Sequence, residues 1–324
     1  MIISQTPFRV SFLGGGTDLQ AYYQSGYGAV LSTAIDYYIY ITVSKRFDDT
    51  IRVSYSRTEI VDNVEQVEHP IVREAMKMTG VTKAVEISSV ADIPAGTGLG
   101  SSSSFTVGLL NALYAYQGRH VSADELAARA CEIEIEILGE PIGKQDQYAA
   151  SYGGMNYIRF NQDESVFVDP VVAERPLRDA LSESLLMFYT GGTRKAGAIL
   201  EDQAKRSPDL TKELDVLRDM ALTGFEVLAD GRELSRFGTL LNNGWEIKRE
   251  LSARISGSAI DNWYTTAMEA GALGGKLLGA GGGGFLLFYC ETHNQERLRE
   301  ALSDMRELPF DFDGRGSRII FVSR

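Results

Sequence analysis

Only two cysteines and three histidines occur among the 324 residues of this chain. Cys131 and Cys290 stand far apart in no metal-type or redox-type spacing, which argues against a structural zinc site and for a reducing, cytoplasmic compartment. No apolar run approaches the roughly 18 residues of a membrane-spanning helix, so no membrane partner is expected. The opening "MIISQTPFRVSF" lacks a basic stretch followed by an apolar one, and no signal peptide is expected there. Positive charge is scarce too: 32 Lys and Arg face 44 Asp and Glu, for a net charge of −12. A general nucleic-acid binder needs a basic excess to neutralise phosphates, so that class is excluded. A small anionic substrate held by a few local cations is not.

With 44% hydrophobic and 23% charged residues, the composition is that of a globular protein. The length suits two domains, each able to bury a core. We place them at 1–175 and 176–324. In the first, "AVLSTAIDYYIYITVS" is rich in β-branched and aromatic residues and predicts one or two strands; "AVEISS" and "GGMNYIRF" predict others. Helices are expected from about Ser103 to Gln117 and from Ser122, where Glu125 completes a capping box. In the second, "SLLMFYTG" precedes helical stretches near 196–230, 232–255 and 258–271. A strand pair around "GAGGGG", a helix near 294–306 and a last strand "RIIFVS" follow. Helices that separate from a mostly antiparallel sheet predict an α+β fold.

The stretch "DIPAGTGLGSSSSFTVGLLNALYAY" places three glycines and four serines at the mouth of an apolar helix. Glycines let backbone approach closely, the first helical turn presents free N–H groups, and the helix dipole adds positive potential. Together these make an anion site, most often for phosphate. A flexible turn with a serine cap is the simpler alternative, but one serine would suffice for that. Gly279, Gly281 and Gly284 match G-x-G-x-x-G, yet "FLLFYC" after them is a strand where a dinucleotide fingerprint needs a helix. A tight turn with backbone packed close to something is the better reading. A nicotinamide-dependent oxidoreductase is therefore disfavoured.

In "ACEIEIEILGEPIGKQDQYAA", about 100° per residue sorts the acids. Glu125, Arg129, Glu132 and Glu136 share a polar face, and Leu126, Ala130, Ile133 and Ile137 form the apolar stripe. Glu134 falls beside Ala127, Cys131 and Leu138 and should point inward. An inward carboxylate needs a bound cation or a buried Arg or Lys. Asp146 opens a new helix two residues after Lys144, where it serves either as a cap or as a working carboxylate.

Three segments in order, "TPFRVSFLGGGTDL", "PAGTGLGSSSS" and "KLLGAGGGGF", resemble the motifs of the GHMP small-molecule kinases, with matching order and spacing over almost the whole chain. Within that superfamily "FLGGGTDL", "PIGKQDQYAASYGG" and "FYTGGTRKA" look most like the branch that phosphorylates a heptose 7-phosphate. Galactokinases carry Glu-His where this chain has Gly15 and Gly16, which argues against that activity.

The resemblance implies a ribosomal protein S5 domain 2-like N-terminal domain and a ferredoxin-like C-terminal one. It also implies transfer of the ATP γ-phosphate to an anomeric hydroxyl, with Mg²⁺. Gly96, Gly98, Leu99, Gly100, Ser101 and Ser103 would wrap the ATP phosphates; Ser102 and Glu134 would ligate Mg²⁺. Asp146 would match the catalytic aspartate and Arg9 the arginine beside it, with Lys144 as a further cation offsetting charge. Asp18, with Gly16 and Thr17, would bind sugar hydroxyls, and Gly281 and Gly282 would lie near the active site. Thr193 and Arg194 are candidates for a sugar phosphate, because an Arg fork suits a phosphate monoester, whereas Lys195 reads as a solvated charge. A homodimer is the candidate assembly. The alternatives are a kinase of an unphosphorylated sugar such as fucose or an N-acetylhexosamine, and a non-catalytic sensor. Retention of Ser102, Glu134, Asp146 and Arg9 together argues against the sensor.

Overall fold

A computed structural model describes residues 1–192, 199, 201, 202, 206 and 210–323. Two sheets organise it. The first is built on β1 (Ile2–Leu13) and the long β2 (Tyr27–Lys45). The later half of β2 pairs with β5 (Val85–Ala91), and its early half pairs with β6 (Met155–Asn161). β3 (Ile51–Ser54) and β4 (Thr58–Val61) extend the β5 side, and β7 (Val166–Pro170) extends the β6 side. Among the described residues β3–β5 is the single parallel pair, so the mostly antiparallel α+β expectation holds.

Helices cover this sheet because β1 and β2 are apolar over most of their length. α3 (Ser101–Tyr116) buries Leu109, Leu110 and Leu113 completely; each such side chain contributes about 1.5–3 kcal/mol. It lies close to β1 because Gly108 has no side chain: a β-carbon there would stand 2.7 Å from Thr6 Oγ1. Ser4 Oγ donates to Gly108 O at 2.8 Å. Ser104, the last of the four serines, donates to Pro7 O at 2.9 Å, beside an irregularity in the β1–β2 register. α1 (Gln20–Tyr23), α2 (Pro70–Thr79), α4 (Ala123–Cys131) and α5 (Gln145–Tyr152) complete this region. Ser122 caps α4 as expected, its Oγ accepting the Glu125 N–H at 3.2 Å.

α6 (Arg175–Glu183) leads into the second sheet, ordered β11 (Arg306–Glu307), β8 (Leu185–Tyr189), β10 (Phe285–Tyr289) and β9 (Gly274–Leu277). Its helices are α7 (Thr211–Asp230), α8 (Ser235–Glu250), α9 (Ser258–Glu269) and α10 (Gln295–Ala301). The helix expected over 294–306 is shorter because β11 begins at Arg306.

β12 (Arg318–Val322), placed by the sequence reading with residues 176–324, pairs with β1 and closes the edge of the first sheet. The two regions also meet at Lys276, whose buried Nζ donates to Ser11 O and Phe12 O at 2.7 and 2.8 Å. Among the described residues no helix is long and apolar enough to cross a membrane.

Candidate active site

The 96–100 loop takes its shape from three left-handed glycines, with φ of 80° at Gly96, 84° at Gly98 and 75° at Gly100. Side chains rarely adopt that conformation. Gly100 is the N-cap of α3 and supplies no side-chain cap, so the first peptide N–H groups of the helix face outward. Leu99 is fully buried and anchors the loop, and its carbonyl accepts the Arg9 N–H at 3.0 Å.

Beneath this loop lies Arg9 of β1, almost wholly buried. Its Nε and Nη2 donate to the two oxygens of Asp146 at 2.7 and 2.8 Å, and Nη1 donates to Gly98 O at 2.6 Å. A β-carbon on Gly100 would stand 3.3 Å from Asp146 Oδ2. The carboxylate at the start of α5 is thus held against the mouth of α3 by a bidentate, charge-assisted pair.

At the same mouth Ser102 Oγ donates to Glu134 Oε1 at 2.9 Å. Gln147 Nε2 donates to Glu134 Oε2 at 2.8 Å. Glu134 is 1% exposed. Burial pushes its carboxyl up to about 7, against the hydrogen bonds of Gln147, Ser102 and Ser103. The inward orientation expected for Glu134 holds, but the chain does not keep α-helical pitch there. Residues Glu132–Ile137 form a π-turn, with the Leu138 N–H bonded to Ile133 O at 3.0 Å. The wider turn rotates later residues, and Ile137, assigned to the apolar stripe, is 49% exposed.

Asp18 is buried opposite. It accepts the Gly16 N–H at 3.1 Å and the Gln145 N–H at 3.4 Å. Burial and the nearby Asp146 charge raise its carboxyl above the usual range. Gly143 must be glycine, because a β-carbon there would stand 2.0 Å from Asp18 Oδ2. Thr17, expected to meet substrate, has its hydroxyl occupied: Gly14 O and Ala29 O lie 2.8 Å away and the Ala29 N–H donates to it at 3.0 Å. It shapes the loop that carries Gly16 and Asp18.

Lys144, expected beside Asp146, points elsewhere. Its ammonium pairs with Glu164 in the β6–β7 turn and lies 5.2 Å from the centre of the Tyr23 ring. The lysine brought to the site is Lys248 of α8, buried, with Nζ donating to Gly279 O at 3.0 Å. Nothing in "GWEIKREL" separates this residue from a solvated helical charge. Gln147 was likewise missed, although it adjoins Asp146. Thr193 and Arg194 lie outside the described residues.

The 279–284 loop enters β10, as a tight turn should, and its backbone packs on the first glycine loop. A β-carbon on Gly279 would stand 2.6 Å from Gly98 Cα, and one on Gly284 would stand 2.3 Å from Thr97 O. Gly281 sits against Ile255, and the Gly282 N–H bonds to Ile255 O at 2.9 Å. This is the close approach that the glycine run foreshadowed, and it lacks the helix a dinucleotide site requires.

Residues 65–154 match the GHMP kinases N terminal domain and residues 225–307 the GHMP kinases C terminal domain. A D-glycero-alpha-D-manno-heptose 7-phosphate kinase of Campylobacter jejuni is 30% identical over 329 residues, 96% of each protein. A galactokinase of Pyrococcus furiosus is 26% identical, over 93% of this chain and 92% of its own length. The crystal structure of a D-glycero-D-manno-heptose 1-phosphate kinase from Bacteroides thetaiotaomicron superposes with a TM-score of 0.84 at 26% identity, over 100% of both chains. With two domains matched in order and a 30% identical relative covered over 96% of its length, the chain belongs to the GHMP kinases and is an ATP-dependent phosphotransferase of the sugar-kinase kind.

Proposed function

We propose that this enzyme transfers the γ-phosphate of ATP to the anomeric hydroxyl of D-glycero-D-manno-heptose 7-phosphate, giving the 1,7-bisphosphate, with Mg²⁺ and in the cytoplasm. The observation that carries this reading is the Arg9–Asp146 pair, seated under Gly100 at the uncapped start of α3. It sets a carboxylate where an acceptor hydroxyl would meet a phosphate held by the loop.

Phosphoryl transfer asks a protein mainly for positioning and charge neutralisation. Peptide N–H groups between Gly96 and Ser103, with the α3 dipole, hold the phosphates. Ser102 Oγ and Glu134 Oε1, 2.9 Å apart, are the pair that would hold the metal. Oxygen donors suit a hard cation, and Gln147 Oε1 is buried nearby with no hydrogen-bond partner among the described residues. When bound, Mg²⁺ screens the negative charge of the β- and γ-phosphates. Asp146 accepts the proton of the attacking hydroxyl while Arg9 stays bonded to it. Asp18 orients the sugar hydroxyls. Arg194 and Thr193, on sequence grounds, take the 7-phosphate.

The heptose 7-phosphate acceptor is favoured by the Campylobacter relative, which is similar to this chain over 96% of each protein. The test is an ATP-consumption assay over heptose, its 1- and 7-phosphates, fucose and N-acetylhexosamines, with ³¹P NMR of each product. Fastest turnover on the 7-phosphate, with a new anomeric phosphate, is expected. Fastest turnover on a free sugar would replace the acceptor. Asp146→Asn should lower the rate about 10²–10⁴-fold with ATP binding kept; near-full turnover would remove Asp146 as the base.

A further inference from the structure

Behind the site, the two sheets are joined by one side chain, Lys276 of β9. β9 is the edge strand of the second sheet. Helix α8 lies directly against that edge, since a β-carbon on Gly274 would stand 1.9 Å from Gly238 O. Lys276 is 4% exposed and reaches across to β1, where its Nζ donates to Ser11 O at 2.7 Å and to Phe12 O at 2.8 Å. Consecutive carbonyls of a regular strand point to opposite sides and cannot meet one donor group. Here they can, because β1 carries an extra residue. Its ladder to β2 pairs Ser11 with Ser32 and Leu13 with Leu31, which leaves Phe12 unmatched. Such a bulge bends its strand and re-aims the residues around it.

The bulge stands between pieces of the site. Arg9 lies two residues before Ser11, and Gly279 lies three residues past Lys276. Arg9 Nη1 donates to Gly98 O at 2.6 Å, and a β-carbon on Gly279 would stand 2.6 Å from Gly98 Cα. The contacts close a circuit: Arg9 to Gly98, Gly98 to Gly279, back along β9 to Lys276, and from Lys276 to the strand that carries Arg9. The described partners of Lys276 are those two carbonyls, with no carboxylate among them. Burial, with the charges of Lys248 and Arg9, draws its amine well below the usual lysine range. A neutral amine has two N–H groups, one for each carbonyl. The position therefore uses two donors on an arm of fixed reach, and does not need the charge.

We propose that Lys276 is a positioning residue for the transfer: by bonding both carbonyls of the Ser11–Phe12 bulge it sets Arg9 and the 279–284 loop in register on either side of Gly98. This rests on the reading of the Arg9–Asp146 pair as the seat of phosphoryl transfer. A misplacement of about 1 Å in such a constellation can cost about 100-fold in rate.

The test compares full-length wild type, Lys276→Met and Lys276→Gln, each assayed well below its melting midpoint with ATP and the sugar that turns over fastest in the acceptor screen. Lys276→Met fills the same space without donors. Its kcat should fall about 10–100-fold while KM for ATP and for the sugar each change by less than about threefold. Lys276→Gln restores an NH₂ group on an arm one bond shorter, and its kcat should lie between the other two. A lysine that only holds the fold would lower the melting midpoint and leave kcat of the folded protein at the wild-type value, so that result in Lys276→Met overturns the proposal. If Lys276→Met does not fold, Lys276→Gln carries the test: kcat should drop at least about threefold with both KM values kept, and wild-type kcat there is equally fatal. If neither variant folds, Lys276 serves folding and the positioning role falls. Asp146→Asn separates the two readings, because near-full turnover in that variant would move the transfer away from the Arg9–Asp146 pair whatever Lys276 does.

Discussion

A buried carboxylate costs several kcal/mol unless donors surround it, and Glu134 is bonded by Ser102 and Gln147. They do not offset burial fully, since the carboxyl still rises from 4.5 to about 7. In metal-free protein the folded state therefore holds a proton that the unfolded chain has released. The stability this contributes is complete below about 4.5 and lost as pH rises through about 7. At 1.36 kcal/mol per unit the loss is at most about 3 kcal/mol. Glu134→Gln cannot titrate and should lack this slope. Thermal melts of both proteins in chelator from pH 4.5 to 8 check it, and parallel curves would show that Glu134 is not protonated near neutrality. The inward position of Glu134 was legible in the sequence because one residue in "EIEIE" falls off the polar face whatever the finer pitch. Its partner Gln147 was not, since a glutamine beside an aspartate carries no signal of its direction.

At the level of elements, the mouth of α3 and the 279–284 loop form one unit. Gly98→Ala brings two penalties together: a side chain at φ of 84° and a β-carbon 2.5 Å from Leu278 O. The loops must separate, so ATP affinity should fall at least about 10-fold, with a loss of about 1–3 kcal/mol in stability from strain. Isothermal titration with a non-hydrolysable ATP analogue and a melting curve measure both, and wild-type affinity would show that the loops are not coupled. Helix α4 was readable from its Ser122 cap, and α3 from the apolar run that follows the glycine-serine stretch. The π-turn was not, because a regular 100° spacing carries no sign of the one-residue-wider Leu138-to-Ile133 bond. Ile137 was misplaced for that reason. Lys144 was misplaced because adjacency in sequence stood in for adjacency in space, and its side chain runs past Tyr23 to Glu164.

Across the whole molecule, both ends of the chain lie in one sheet. β12 pairs with the first residues of β1, Ile2–Gln5, and the Met1 amine donates to Ser323 O at 3.0 Å. Just before it, the Ser317 hydroxyl meets Thr6 Oγ1 at 2.8 Å and Asn111 Nδ2 at 3.0 Å, joining β1 to α3. Deleting residues 318–324 would leave the edge of β1 unpaired, and such edges recruit other chains. The truncated protein should melt lower and aggregate where the full chain is monodisperse, as light scattering would report; an unchanged melt would make β12 dispensable. On the ribosome this pairing sets an order of events. Synthesis runs from the N-terminal side, and β1, which carries Arg9, is made before every other strand of its sheet. Its outer edge waits for a partner until β12 is made, so a message that stalls between the two strands yields a product in which that edge is still open.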